Sequence, residues 1–275
     1  MKQKVVIVTG ASSGIGRALV YRFAAEGSKV VMAARTPEIL DELVRELGAD
    51  KVLSVPTDVT DETQCRLLIE KSVEAFGRID VLVNNAGISM RAAFASCDTA
   101  VLKRLMEVNF WGTVYCTQYA LPYILNSRGS VVGVISIAGY IGLPGRTGYS
   151  ASKFAVRGFL DALRTEHLAQ KLHVLVAAPG FVASRVRENA LTASGRPQGE
   201  TPRDEKRMMS AERCAFLIYR ALRKQKSELI MSFTEGKLAV FLSKFLPRWV
   251  AKLNYRMMVR EPGCPFAPGS SEYFK

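Results

Sequence analysis

Short apolar, β-branched runs alternate along this chain with longer segments whose apolar residues recur every three or four positions. Lys4–Thr9, Lys29–Ala34, Lys51–Pro56, Asp80–Asn84, Ser130–Ser136, His173–Ala178 and Glu228–Ser232 read as strands, and the first is apolar enough to be fully buried. Ile15–Gly27, Pro37–Leu47, Asp61–Phe76, Thr99–Leu125, Tyr149–Gln170 and Ser210–Lys224 carry the helical period. Pro37 suits a first helical turn, and Gly27 is a stop. Strands alternating with helices of this length predict an α/β protein: a parallel sheet of about seven strands, doubly wound, with helices on both faces.

Three segments do not fit the alternation. Ala183–Met209 is polar and rich in Gly, Pro and charge; inside a compact domain such a stretch is a functional lid or disordered. Lys237–Val259 carries Lys237, Lys244, Arg248, Lys252 and Arg256 and no acidic residue. The last four repeat every fourth position, beside Phe241, Phe245, Trp249 and Leu253, and Pro247 is expected to divide the segment into two helices. A cationic amphipathic extension suits an anionic membrane surface; packing on its own domain or on a partner subunit fits equally well. Pro262–Lys275 reads as a flexible tail. The expected division is a nucleotide-binding and catalytic domain over residues 1–235 and a helical extension with its tail over 236–275.

Composition narrows the class. With 275 residues, 48% hydrophobic and 23% charged, the chain suits one large soluble domain. No apolar run approaches the roughly 20 residues that span a bilayer. Strand-like residues begin at Val5, which leaves no room for a secretory signal. Cys65, Cys97, Cys116, Cys214 and Cys264 are odd in number and lack metal spacing, so they read as reduced thiols of a cytoplasmic protein, soluble or peripheral to a membrane. Two histidines make a zinc or catalytic histidine cluster improbable, and no metal is expected. The net charge of +13 lies largely in the C-terminal stripe and one loop, without a recognised nucleic-acid module, so nucleic acid is not an expected partner.

Thr9-Gly10-Ala11-Ser12-Ser13-Gly14-Ile15-Gly16 joins the first strand to the first helix. Gly10, Gly14 and Gly16 allow the tight turn, and the helix N-terminus offers free N–H groups to a pyrophosphate, around which Ser12, Ser13 and Ile15 are expected. The second strand ends in Ala34-Arg35-Thr36, without the carboxylate that would bond a ribose 2′-hydroxyl and repel a 2′-phosphate. Arg35 pairs well with such a phosphate, which favours NADPH and leaves NAD possible. Asp58, after the third strand, suits the adenine amino group or a turn.

Tyr149 and Lys153 lie four apart and share a helical face. Ionising a phenol at pH 7 costs about 4 kcal/mol, and a cation at about 4 Å recovers about as much at an effective dielectric of 20. Lys153 is therefore expected to bring Tyr149 most of the way to a working acid or base. Ser136, ending a strand, is placed to bond a substrate oxygen.

With Asn84-Asn85-Ala86-Gly87, Asn109 in Val108-Asn109-Phe110, and Pro179-Gly180, these residues make the chain resemble the short-chain dehydrogenase/reductase family over about residues 4–232. The resemblance implies a Rossmann-type fold and a hydride transfer between a nicotinamide and a carbonyl or alcohol. It implies Tyr149 as proton donor, Lys153 holding the nicotinamide ribose and lowering the phenol pKa, Ser136 polarising the carbonyl and Asn109 holding a relay water. Asn85, Ala86 and Gly87 would support the sheet beside the adenosine. Pro179, Gly180, Val182 and Ser184 would meet the nicotinamide, with Ser184 where the family usually has Thr. Ser13 stands where many NADP-dependent members have a basic residue.

Met90, Arg91, Ile137, Tyr140, Leu143, Phe181 and Val182 lie near these motifs, so the expected substrate is a hydrophobic, lipid-like carbonyl compound held by Ser136, Tyr140 and Phe181. The rivals are a 3-oxoacyl-thioester reductase and a non-catalytic dinucleotide sensor. The resemblance also implies a homodimer or homotetramer.

Overall fold

The computed structural model describes residues 1–184, 186–201 and 208–266. Its first half runs β1 (Val5–Thr9), α1 (Gly14–Ala25), β2 (Lys29–Ala34), α2 (Pro37–Leu47), β3 (Val52–Pro56), α3 (Glu62–Phe76), β4 (Val81–Asn84). Next come α4 (Thr99–Met106), α5 (Gly112–Asn126), β5 (Ser130–Val134), α6 (Thr147–Glu166), β6 (His173–Ala178), α7 (Ala211–Arg223) and β7 (Glu228–Ile230), and then α8 (Ala239–Phe245) and α9 (Pro247–Val259). The seven strands pair in parallel in the order β3-β2-β1-β4-β5-β6-β7. This is the doubly wound, Rossmann-type sheet that the alternation predicts. Strand order reverses between β1 and β4, so a crevice opens at their C-terminal ends.

Every residue of β1, β4 and β5 is buried, because helices cover both faces. Successive side chains of β1 feed opposite cores, as a period of two requires. Val6 and Val8 pack with Leu19 and Phe23 of α1, Leu40 of α2 and Ile218 of α7. Val5 and Ile7 pack with Leu68 of α3, Ile124 of α5 and Leu160 of α6. Local chemistry sets helix ends: Asp61 accepts from the N–H groups of Thr63 and Gln64 at 2.9 and 3.2 Å, and Gly77, with φ 71°, stops α3 in the left-handed region.

Two departures matter for function. The helices expected around Thr99–Leu125 are joined by a π-type turn over Glu107–Trp111, which turns Asn109 into the interior. The apolar period continues on both sides, so the pattern hides the break. The tail also differs: Met258 and Cys264 are buried, so residues 262–266 pack on the body. Pro247 does divide α8 from α9, and Val240 and Val250 join the core on the α3–α5–α6 side. Residues 185 and 202–207 of the expected lid and 267–275 of the expected tail lie outside the described residues. No helix among the described residues is long and apolar enough to cross a membrane.

Candidate active site

The nucleotide turn is built by close backbone approach. A Cβ on Gly16 would lie 2.0 Å from the Gly10 carbonyl oxygen, and one on Gly10 would lie 2.9 Å from Ala86 Cα. Thr9 and Asn85 stitch the turn to the end of β4: Thr9 Oγ1 accepts from the N–H groups of Asn85 and Ala86, both at 3.0 Å. Asn85 Nδ2 donates to the carbonyls of Thr9 and Gly10 at 3.0 and 3.3 Å. Ser13 provides no side-chain cap, so the first-turn N–H groups of α1 face an anion site unspent. A groove of about 550 Å³ runs from this turn along α1 to α7, lined by Ser13, Gly14, Arg17, Ala25, Ser184 and Ala211 among others. The glycine turn and the uncapped first turn of α1, rather than the groove as a whole, fit a dinucleotide pyrophosphate.

Arg35 is exposed just past β2, and its guanidinium makes no hydrogen bond or ion pair among the described residues. Asp58 spends Oδ1 on the N–H and Oγ1 of Thr60, at 3.0 and 2.8 Å, so much of its role is the turn itself.

Three elements bring the polar centre together at the C-terminal edge of the sheet. Ser136 follows β5, Tyr149 and Lys153 occupy the first turns of α6, and Asn109 enters from the π-type turn. Asn109 Oδ1 accepts from Ile88 N–H at 2.8 Å, while its Nδ2 donates to Ile88 O at 3.0 Å and Ser152 Oγ at 2.8 Å. Ser152 Oγ in turn donates to the Tyr149 carbonyl at 2.8 Å. Ser152 is therefore the splint between Asn109 and Tyr149, a role the sequence motif conceals behind its better-known neighbours. Gly87 keeps this centre open, since a Cβ there would lie 3.0 Å from Asn109 Oδ1 and 3.2 Å from Lys153 Nζ.

The electrostatics differ from the expectation that Lys153 alone depresses the phenol. Lys153 Nζ donates to Val134 O at 3.1 Å and lies 5.9 Å from the Tyr149 ring centroid. Burial pushes the Tyr149 phenol above 10; the Ser136 hydrogen bond and the charge of Arg146 oppose that rise without cancelling it. Arg146, three residues before Tyr149, also donates to Ser89 Oγ at 3.0 Å. Burial lowers Lys153 from 10.5 to about 8. Folding thus favours neutral Lys153. That contribution to stability is fully present above 10.5 and is lost as pH falls through about 8. The ligand-free protein should therefore gain thermal stability as pH rises from 8 to 9, before ionisation of the buried thiols opposes the gain. Thermal melts should show this rise and Lys153→Met should flatten it; an unchanged slope in the variant would contradict the assignment.

Of the residues expected near the substrate, Met90, Ile137 and Val182 are buried in three different parts of the core, and Phe181 is half-buried. Gly180 leaves room for Ile137, whose Cδ1 would be 3.2 Å from an added Cβ. Ser184 lies against the nucleotide turn, its Cβ 3.1 Å from the position of a Cβ on Gly14. Tyr140 does not offer its hydroxyl to this space. It donates to Glu228 Oε1 at 2.6 Å, and the Arg157 guanidinium covers its ring at 3.8 Å. The reason is an acidic partner at the start of β7, remote in sequence. Arg91 is likewise spent: buried, it donates to Pro262 O at 2.6 Å and lies 3.7 Å from Glu261. Among the described residues no cluster of His, Cys, Asp and Glu could hold a metal.

A glycine turn feeding an uncapped helix, with Ser136, Tyr149 and Lys153 at the same sheet edge, is the arrangement expected of a nicotinamide-dependent oxidoreductase. The chain belongs to the short-chain dehydrogenase/reductase family: the sequence pattern of the short chain dehydrogenases matches residues 4–194. It is 36% identical over 256 residues to dehydrogenase/reductase SDR family member 7B of Bos taurus, covering 90% of this chain and 79% of that protein. It is 38% identical over 187 residues to 11-beta-hydroxysteroid dehydrogenase 1A of Arabidopsis thaliana, covering 66% and 53%. A crystal structure of a short-chain dehydrogenase from Streptomyces avermitilis superposes with a TM-score of 0.77 at 28% identity, covering 94% of this chain and 98% of that one. The protein is thus an oxidoreductase of CH–OH and C=O groups that uses NAD or NADP and acts on a small molecule.

Proposed function

We propose that the protein is an NADPH-dependent carbonyl reductase, reversible as a secondary-alcohol dehydrogenase, whose substrate is a hydrophobic, lipid-like ketone. The reading rests above all on half-buried Ser136 and Tyr149 and buried Lys153, gathered beside the glycine turn. Bound nicotinamide supplies the hydride. Tyr149, held protonated at neutral pH by burial, donates its phenolic proton to the carbonyl oxygen. Ser136 Oγ donates a hydrogen bond to the same oxygen and stabilises the charge that develops there. Lys153, whose Nζ donates to Val134 O at 3.1 Å, would hold the ribose hydroxyls, and Arg146 supplies the positive charge that acts on the phenol. The Asn109 side chain is already spent on Ile88 and Ser152, and its main-chain carbonyl accepts from Thr113 Oγ1 at 2.9 Å, so a relay water there would use that carbonyl's second lone pair. Pro179, Gly180 and Val182 would bound the nicotinamide, and Ser184, which lies against Gly14, would reach it from the side of the nucleotide turn.

Two observations support the finer assignments. The free, exposed Arg35 with no carboxylate beside it favours a 2′-phosphate. The apolar residues Met90, Ile137, Phe181 and Val182 close to the catalytic motifs favour an apolar ketone, as do relatives named for 11-beta-hydroxysteroids. Free thiols fit a cytoplasmic site of action, and a homodimer or homotetramer is the expected assembly.

Arg35→Ala should weaken NADPH binding about tenfold or more, the worth of charge-assisted hydrogen bonds, and leave NADH nearly unchanged. Equal losses in a fluorescence titration would reassign Arg35. The substrate class is tested by oxidation of NADPH against steroid and long-chain ketones, 3-oxoacyl thioesters and small diketones. Preference for a thioester would overturn the ketone reading. Tight NADPH binding without turnover of any compound would favour a dinucleotide sensor.

A further inference from the structure

The last two helices are amphipathic in the reverse sense to a packed helix: much of their apolar surface faces water. Phe241 and Phe245 on α8 are 59% and 67% exposed, with ring centroids 5.1 Å apart. On α9, Trp249 is 55% and Leu253 41% exposed, and Met257 continues their row at the same spacing of four. Arg248, Lys252 and Arg256 each precede one of these residues by one position, so they form an exposed row about 100° round the helix. Val250 and Met258, both buried, mark the side turned to the domain. The outward surface therefore carries a basic row beside an apolar row, and from Gly236 to Arg260 the sequence has no acidic residue to neutralise it.

We propose that this face of α8 and α9 docks on an anionic lipid bilayer, lying in the plane of the interface with Phe245, Trp249 and Leu253 among the acyl chains. Charge selects this occupant. A second copy meeting the same face would set its cations against their own kind, whereas anionic headgroups neutralise them while the aromatic and aliphatic side chains leave water.

The position of the face extends the functional reading, and this step rests on the substrate being a hydrophobic ketone. The chain leaving α9 is latched to the substrate side of the body. Arg91 binds Pro262 O and Glu261, as described above. Met258 Cε and Phe266 Cε1 lie 3.0 and 3.2 Å from the position of a Cβ on Gly145, whose carbonyl accepts from Ala92 N–H at 3.0 Å. Arg91 and Ala92 continue the segment that carries Gly87 and Ile88, and Gly145 precedes Tyr149 by four residues. The loops flanking the catalytic centre thus pack behind α9, so docking brings that centre close to the membrane and favours delivery of an apolar ketone from the lipid.

The test uses the full chain with vesicles of phosphatidylcholine alone or mixed with phosphatidylglycerol. The protein should sediment with the mixed vesicles, and Lys252→Glu with Arg256→Glu should lower that binding about tenfold or more. Raising salt should weaken it. The chain has two tryptophans, so Trp111→Phe leaves Trp249 as reporter, and its emission should shift to the blue on the mixed vesicles. Equal sedimentation with both vesicles, binding to an acidic carrier protein but not to vesicles, or a dimer that Trp249→Ser converts to monomer would each overturn the proposal. Turnover of a water-soluble ketone in the absence of vesicles should be unchanged in the double variant. If the parent protein turns over no ketone while still sedimenting, the catalytic reading fails and the docking surface stands.

Discussion

Tyr149→Phe should lower kcat for ketone reduction by about a thousandfold, within the usual range for removal of a general acid, and leave the Kd for NADPH within about twofold of the parent. The substitution removes one oxygen and keeps the ring. Its carbonyl still accepts from Ser152 Oγ at 2.8 Å, so the splint to Asn109 survives. The nucleotide turn depends on Thr9, Asn85 and three glycines, none of which touches the phenol. Because burial holds the phenol above 10, the parent enzyme carries the proton needed for reduction throughout the physiological range. Loss should therefore appear in kcat rather than in cofactor affinity. Single-turnover NADPH oxidation beside a fluorescence titration separates the two. More than a tenth of parental turnover in the variant would remove Tyr149 from the proton-transfer step.

The proposed site divides into a part legible in the sequence and a part hidden from it, and the line between them is physical. Gly10, Gly14, Gly16, Tyr149 and Lys153 announce themselves because local backbone geometry and helical spacing alone bring them into use. What depends on contacts across the chain is invisible to spacing. Arg91 stands beside the catalytic motifs and reads as a pocket residue, yet its partners Glu261 and Pro262 lie some 170 positions away. Tyr140 is turned by Glu228, again from a distant strand. Helical spacing assigns the charge acting on Tyr149 to Lys153, one turn on. In the fold Lys153 Nζ is held by Val134 O, and the opposing cation is Arg146 at the helix start. A cation there opposes the helix dipole, so a local rule is broken next to the proposed chemistry, where such departures gather. The π-type turn at Asn109 left no trace, because one extra residue leaves the apolar period on either side intact.

Gly16→Ala should abolish dinucleotide binding and lower the melting temperature, although it adds only a methyl group on an ordinary helix residue. An added Cβ would stand 2.0 Å from Gly10 O, 2.8 Å from Gly10 C and 2.6 Å from Asn85 Nδ2. The first two are backbone atoms of the turn itself, so relief requires the turn to move away from α1 and from the end of β4. Overpacking of this kind costs about 1–3 kcal/mol, which in a chain of this size lowers the melting temperature by roughly 2–12 °C. The same displacement carries the Gly10 carbonyl and the first N–H groups of α1 off the pyrophosphate, so the Kd for NADPH should rise at least about a hundredfold, the penalty of losing several charge-assisted hydrogen bonds. Gly158, in the middle of α6, separates crowding from the mere loss of a glycine. Nothing lies within 4 Å of a Cβ placed there. Gly158→Ala should therefore stabilise the protein by about 0.5–1 kcal/mol through helix propensity and leave NADPH binding unchanged. Equal NADPH affinity in the Gly16→Ala protein, measured beside that control, would mean that the turn is not where the pyrophosphate rests.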